Sequence, residues 1–438
     1  MRGIHKTRPA FPEISGNPAL KDFFANKAPR CVVFSTPLML SQLLQPYLLR
    51  EAEKPYSGEP FLFPILNHPD FGNDPVDIAR LLLHRRSAAG RKGVESVPLL
   101  TLLENPLLLY SLGLARPENL LMTGKLLLEW AAEAKEGNFP EIHTLPLPAL
   151  RDRERQSDLS APVTISLPDE KFFKGYLRQM AISASTLNKF LRCPLQFYYE
   201  NLLRVVSGEP VYFTFGKIMH TVLEKAFLAR KENGIFPNEA DLRSFLEAEL
   251  DPFKDILPEE ILTQQRERGQ AILARYETEV FPTAHANAEI EYSVPRVLSE
   301  RRIPLTGRID KLEFYPGEAK VVDYKTGNPE SAFRKAGRPS PESPLGGDYW
   351  RQMVFYKLLV EAETGQHGLV KKGAVEFLER AAGEPVREEF ELSEEDAQTV
   401  RGQVREVWKK LQSADFATGC GKENCPWCSL VRETGMGV

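Results

Sequence analysis

The chain has 438 residues, enough for two or three domains. Hydrophobic residues make up 42% and charged residues 26%, which excludes a disordered chain and fits a folded globular protein. A formal net charge of −4 gives no global basic field, so a nucleic acid would have to be met by a local basic surface. Residues 1–150 read as a mainly helical accessory region, in which DPVDIARLLLHRR and NLLMTGKLLLEWAAEA carry apolar residues at helical spacing. Asp74 or Asn73 can cap the first of these helices, with Pro75 at its first position. The longest apolar run, around Leu107–Ala115, is too short for a membrane span. With no export signal in MRGIHKTRPA, the expectation is a cytoplasmic protein without membrane contacts. No G-x4-G-K-[ST] phosphate loop occurs, so no ATP motor is expected in these residues.

The polar, proline-containing stretch 151–177 reads as a linker, and residues 178–438 as a second domain. Its first helix lies in Ile182–Val205, with Ser185 as cap, Leu187, Phe190 and Leu191 in helical register, and Pro194 breaking or restarting it. Phe215–Phe227 is helical too, and His220 and Glu224, four apart, share one face. AEIEYSV, with Glu291, reads as a strand.

Two strand-like runs follow, Ile303–Phe314 and Ala319–Tyr324, on either side of a Pro316-Gly317 turn. With that turn centre, Tyr315 pairs with Glu318 and Asp310 stands opposite Asp323. Facing residues of an antiparallel pair have Cβ atoms about 4.5–5.5 Å apart, close enough for two carboxylates to share a cation. Alternation puts Asp323 and Lys325 on one face and Tyr324 on the other. Two such carboxylates repel unless a cation lies between them, and hard oxygen donors favour Mg²⁺ or Mn²⁺ over zinc. Such an ion polarises a phosphodiester and generates a nucleophile, while a nearby ammonium stabilises the developing charge. Taken alone, the same residues also suit a surface hairpin with solvated charges. Asn328–Asp348 reads as a mobile loop, and Tyr349–Glu361 as a helix that buries Met353, Phe355 and Leu359 and sets Gln352 and Tyr356 on one face. Lys189, Arg192, Arg204, Arg334, Lys335 and Arg338 are candidates for a basic lining.

The chain has five cysteines, an odd count that argues against a secreted disulfide framework. Cys420, Cys425 and Cys428 form a C-x4-C-x2-C cluster, which a distant fourth thiol can complete into a tetrahedral sulfur site for zinc or a [4Fe–4S] cluster. Cys31 has no evident partner and reads as a small buried hydrophobe.

GRIDKLE followed by VVDYKTG closely resembles the core of the PD-(D/E)XK nucleases, specifically the RecB/AddB-type nuclease domain. The resemblance implies an α/β fold with a restriction-endonuclease-like core, a small mixed sheet flanked by helices, behind a mainly α-helical N-terminal region. It implies that Asp310 and Asp323 are the two acids, that Lys325 is the catalytic lysine, and that the Tyr324 carbonyl is a further ligand for Mg²⁺ or Mn²⁺. FGKIMHTVLEKAF is similar to the family's G-x-x-x-H helix, which makes His220 a metal ligand, and YWRQMVFYKLLVE to its Q-x-x-x-Y motif, which sets Gln352 and Tyr356 beside the site. Glu291 resembles the acid at the start of the family's sheet, which implies a carboxylate beside the metal, and it equally suits a solvated strand residue. ISASTLNKFLRCPLQFYYENLLRV resembles the segment that opens AddB-type domains. There, and in related CRISPR-adaptation nucleases, one early cysteine and three late ones hold an iron–sulfur cluster. Here they would be Cys193, Cys420, Cys425 and Cys428, although the trio's longer gap comes first. The implied activity is metal-dependent DNA cleavage, exonucleolytic, in recombination and repair, with a helicase partner. A catalytically silent DNA-binding module and a CRISPR-adaptation nuclease are the alternatives. Residues 1–150 would then stand where such proteins carry a degenerate helicase region.

Overall fold

A computed structural model describes residues 37–89, 97–137, 162–205, 210–254, 259–326, 335–379, 387–434 and 437. Cys31 and Arg334 lie outside them, as does the first part of the expected linker.

The N-terminal part is helical: α1 (Pro37–Glu53), α2 (Glu59–Leu66), α3 (Pro75–Ala89) and α4 (Pro117–Lys135), with shorter turns between. Of the two candidate caps on α3, Asp74 accepts the Val76 N–H at 2.8 Å, whereas Asn73 reaches across to Leu66 and Thr123. These helices rest on the segment after Cys193. Arg86 donates to the carbonyls of Asn201 and Leu202, and Phe63 tilts against Tyr199 at 5.4 Å. From the stretch expected to link the two parts, Thr164 bridges Thr418 and Ile165 bridges Gly437.

The second part is built on a five-stranded sheet in chain order: β1 (Ala288–Leu298), β2 (Pro304–Tyr315), β3 (Glu318–Lys325), β4 (Val370–Phe377) and β5 (Arg387–Glu391). All pairs are antiparallel except β3–β4. That parallel pair needs a crossover, supplied by α9 (Asp348–Thr364) lying across one face. Ahead of the sheet come α5 (Ala184–Arg192), α6 (Pro210–Asn233), α7 (Glu239–Leu250) and α8 (Glu259–Arg275); behind it come α10 (Glu394–Gln412) and α11 (Pro426–Thr434). Leu312, Val321, Leu359 and Val404 fill the core on the α9–α10 face, while Met219, Leu246, Ile272 and Tyr324 fill that on the α6–α8 face. This is a mixed sheet flanked by helices, the restriction-endonuclease-like architecture, behind a helical N-terminal region.

Two local expectations need correction. The cap of α5 is Ser183, not Ser185: Ser183 has the extended backbone a cap requires, and its hydroxyl accepts the Thr186 N–H at 3.1 Å. The described part of the loop before α9, residues 335–347, is tied down. Arg338 clamps Asp396 at 2.8 Å, and the buried Arg351 donates to the Leu345 and Gly346 carbonyls and to Asn188.

Under the sheet, on the α6–α8 face, lies a buried charge network. Lys311 sits 3.4 Å from both Glu313 and Glu376, Arg387 sits 3.1 Å from Glu376, and the Tyr276 hydroxyl donates to Glu376 at 2.5 Å. Burial works to raise the Glu313 carboxyl, but Lys311, Arg387 and Lys320 hold it down at about 2. Removing one member of such a network strands the others without countercharge, which costs about 3–5 kcal/mol. Glu376→Ala should therefore lower the unfolding free energy from denaturant titration by that amount; an unchanged value means that the network contributes nothing to stability.

Candidate active site

The hairpin is in the register that the turn dictates. Tyr315 pairs with Glu318 across Gly317, whose φ of +74° suits a residue without a side chain, and Lys311 pairs with Val322. Lys311–Val322 is the outermost pair of that ladder, and Asp310 and Asp323 follow it at the open end of the hairpin. Both are buried at that end of the sheet.

Two further ligand groups gather around Asp310. Gly216 lets α6 approach the end of β3, since a Cβ there would meet the Thr326 hydroxyl at 3.0 Å. One turn later His220 Nδ1 lies 3.3 Å from Asp310 Oδ1. Glu291, opposite Asp310 on β1, completes the group, and one ligand atom from each of His220, Glu291 and Asp310 lies within 4.8 Å of the others. Glu291 sits at φ +51°, a left-handed conformation that costs a non-glycine residue about 1–3 kcal/mol and is typical of functional sites. Burial first, then Asp310, pushes its carboxyl up to about 7, against the opposing pull of Arg308. Burial works to lower the His220 imidazole, but the hydrogen bond and charge of Asp310 outweigh it and the net shift is upward.

Asp310 Oδ2 accepts the Tyr324 N–H at 2.7 Å. The N–H and carbonyl of one strand residue point to the same side. The Lys325 carbonyl, one residue on, points the other way and takes the Leu378 N–H. The Tyr324 carbonyl therefore faces the Asp310 side of β3, where the sequence reading places a ligand.

The second half of the site is a chain of polar contacts from β3 to α9. Lys325 forms an ion pair with Asp323 Oδ2 and donates to Gln352 Oε1 at 3.1 Å. Gln352 Nε2 donates to Asp323 Oδ1 and to the Tyr356 oxygen, both at 2.8 Å. Gln352 and Tyr356 thus fix the acid and the lysine together, as their spacing on α9 allows. Burial above all pushes the Asp323 carboxyl up to about 6, Lys325 pulling the other way. Lys325 is itself raised: burial favours the neutral amine, but the Asp323 charge outweighs it, so the side chain is an ammonium at neutral pH.

Nitrogen and carboxylate oxygens at the sheet end, with no thiol among them, fit a hard divalent cation better than a soft one. Farther off, Cys193, Cys420, Cys425 and Cys428 converge, their sulfurs all within 4.8 Å of one another. They form no disulfide.

Over residues 181–432 the chain matches the model of the PD-(D/E)XK nuclease superfamily. It belongs to that superfamily. The matched span runs from just before α5 to the last cysteine-bearing helix, so the polar residues at the sheet end and the four-cysteine cluster all lie within it. No curated protein matches the chain. A solved structure of a candidate exonuclease from Eubacterium rectale is 14% identical, with a TM-score of 0.37 over 60% of this chain and 93% of that one. The protein SSO0001 is 16% identical, with a TM-score of 0.20 over 47% and 88% of the two chains.

Arg308 was not singled out in the sequence. It pairs with Glu291 and lies 3.2 Å from Glu224, and the signal for it was strand alternation, which puts it on the same face as Asp310. Three of the six basic-lining candidates are ion-paired: Lys189 with Glu200, Arg192 with Asp348 and Arg338 with Asp396. Lys335 instead joins Lys325 over the Tyr349 ring, at 5.4 and 5.0 Å. Among the described residues no helix is long and apolar enough to cross a membrane.

Proposed function

We propose that this protein is a RecB/AddB-type deoxyribonuclease that uses Mg²⁺ or Mn²⁺. The observation that carries this reading is the joining of the two halves: His220, Glu291 and Asp310 on one side, and Asp323, Lys325 and Gln352 on the other, at one end of the sheet. Asp310, His220, Glu291, Asp323 and the Tyr324 carbonyl would hold the cation. Bound there, a divalent cation would polarise the scissile phosphate and make a water nucleophilic. Lys325, held as an ammonium, positions that water and stabilises charge on the phosphoryl oxygens. Gln352 and Tyr356 keep the lysine aimed. Arg308, the half-exposed guanidinium beside the trio, is placed to meet a backbone phosphate once a cation takes over Glu291. By the same resemblance, the enzyme would act on DNA ends in recombination and repair, beside a helicase partner.

The test is cleavage of end-labelled single- and double-stranded DNA with Mg²⁺, Mn²⁺ or EDTA, wild type against Asp310→Asn. Metal-dependent cleavage that disappears in the variant supports the reading. Equal cleavage by both proteins removes Asp310 from it.

A pH dependence follows from Glu291 and His220. Both are raised in the folded state, so without a cation they contribute stability that is fully present below their unfolded values and lost as pH rises through about 7 for Glu291. A cation needs both groups deprotonated, so it competes with those protons. Half-saturating Mg²⁺, followed by thermal shift, should fall roughly tenfold per proton displaced between pH 6 and 7. Glu291→Gln should flatten that slope; a slope unchanged by the substitution places Glu291 outside the cation site.

A further inference from the structure

We infer that Cys193, Cys420, Cys425 and Cys428 hold one tetrahedrally coordinated zinc ion rather than a [4Fe–4S] cluster. The first argument is the spacing of the sulfurs. Cys193 and Cys428 have their Sγ atoms 3.9 Å apart, as do Cys420 and Cys428, and all four atoms lie within 4.8 Å of one another. A tetrahedron of Zn–S bonds of 2.3 Å has an S···S edge of about 3.8 Å. In a cubane cluster each thiolate stands on a different iron, so the sulfurs are separated by the width of the cluster itself. The observed set matches the edge of a single-ion tetrahedron and is too tight for the larger body. It is also too wide for a disulfide, whose sulfurs are about 2.05 Å apart.

The second argument is room. Gly419 leans directly on the site: a Cβ there would lie 2.5 Å from Cys428 Sγ and 2.9 Å from Leu195. Nearby, the Trp427 ring stacks on Tyr199 at 4.9 Å, and its N–H donates to Glu200 at 2.9 Å. Cys428 is fully buried. These neighbours press on the sulfurs from outside, and the larger body of a cubane would have to push them outward.

The third argument is the set of donors. The backbone N–H of Cys420 is directed toward the Cys193 sulfur, that of Cys428 toward Cys425 and that of Gly421 toward Cys428, while the Gln196 N–H is taken by the Cys193 carbonyl. Such bonds spread the negative charge of thiolates gathered on one cation and hold them in place before it binds.

Zinc has no redox chemistry, so the site would be a staple and not a sensor. The test uses the full chain, produced in medium supplied with both iron and zinc and purified anaerobically without chelator. Zinc, iron and acid-labile sulfide are counted per chain. Close to one zinc and no sulfide is the expected result. Cobalt-grown protein should then show the red-region d–d absorption of a tetrahedral tetrathiolate, lost in Cys425→Ser. Iron with matching sulfide and a brown colour overturns the inference, as does a lone iron or a folded, metal-free chain. None of these readouts involves DNA, so the outcome is independent of the nuclease reading.

Discussion

Lys325→Ala is expected to reduce DNA cleavage by at least about 10²–10³-fold, the usual loss when one donor to developing charge is removed. DNA affinity, measured with Ca²⁺ in place of Mg²⁺, should stay within a few-fold, because the lysine is turned inward toward Asp323 and Gln352 rather than onto a DNA-facing surface. Some stability should go as well: Asp323 is buried, and without the ammonium its carboxyl rises further above its already raised value. That loss is limited, since Gln352 and Tyr356 still donate to Asp323 Oδ1. A melting curve therefore separates the two effects. Low activity with a nearly native melt places Lys325 in the chemistry. Turnover within tenfold of wild type would leave it a partner for Asp323 and no more. Lys325→Arg is the sharper control, because it restores charge without the compact ammonium geometry, and it should recover stability but little cleavage.

The hairpin half of this site was legible because strand alternation and a Pro-Gly turn leave one register that buries the apolar residues. That register alone sets Asp310 against Asp323, and helical spacing alone sets Gln352 beside Tyr356. His220 is legible only through resemblance, since no local pattern says that α6 will pack on the end of β3. Glu291 was suspected on the same grounds but its role was open. What decides its position is a left-handed backbone, which a β-like string such as AEIEYSV does not announce. The ion pairing of half of the basic candidates was hidden for a related reason. Composition shows that Lys189, Arg192 and Arg338 are cationic, but their partners, Glu200, Asp348 and Asp396, lie 11, 156 and 58 residues away and are joined only by the fold. Ser183 and Ser185 differ by two positions and one backbone dihedral, a difference that cap propensity does not resolve. The meeting of Cys193 with the late trio was expected only by resemblance, and the close approach of Gly419 to Cys428 and Leu195 that walls the cluster is visible only in the fold.

Cys193→Ser is expected to cost the protein both the ion proposed for the cysteine cluster and a large part of its stability. Cys193 ends α5, and Cys428 lies 235 residues further along the chain, so the cluster closes a loop that contains the whole sheet. In a chain-entropy model a cross-link over a loop of about 100 residues contributes about 4.7 kcal/mol, and the dependence on length beyond that is slow. Structural zinc sites in small domains bind with apparent free energies of about 10–16 kcal/mol, much of which appears as folding free energy. A loss of about 4 kcal/mol or more, or roughly 10 °C in melting temperature, is therefore the expected scale. The damage should spread beyond the cysteines. Trp427 stacks on Tyr199, Tyr199 leans on Phe63, and Arg86 is bonded to Asn201 and Leu202, so the N-terminal helices rest on the segment that the cluster anchors. Limited proteolysis of the variant should accordingly release the N-terminal helices earlier than in wild type. Chelator treatment of wild type should reproduce both the lower melt and the cleavage pattern. If Cys193→Ser keeps its metal and melts like wild type, the late trio binds its ion without Cys193, and the ends of the domain are held by packing alone.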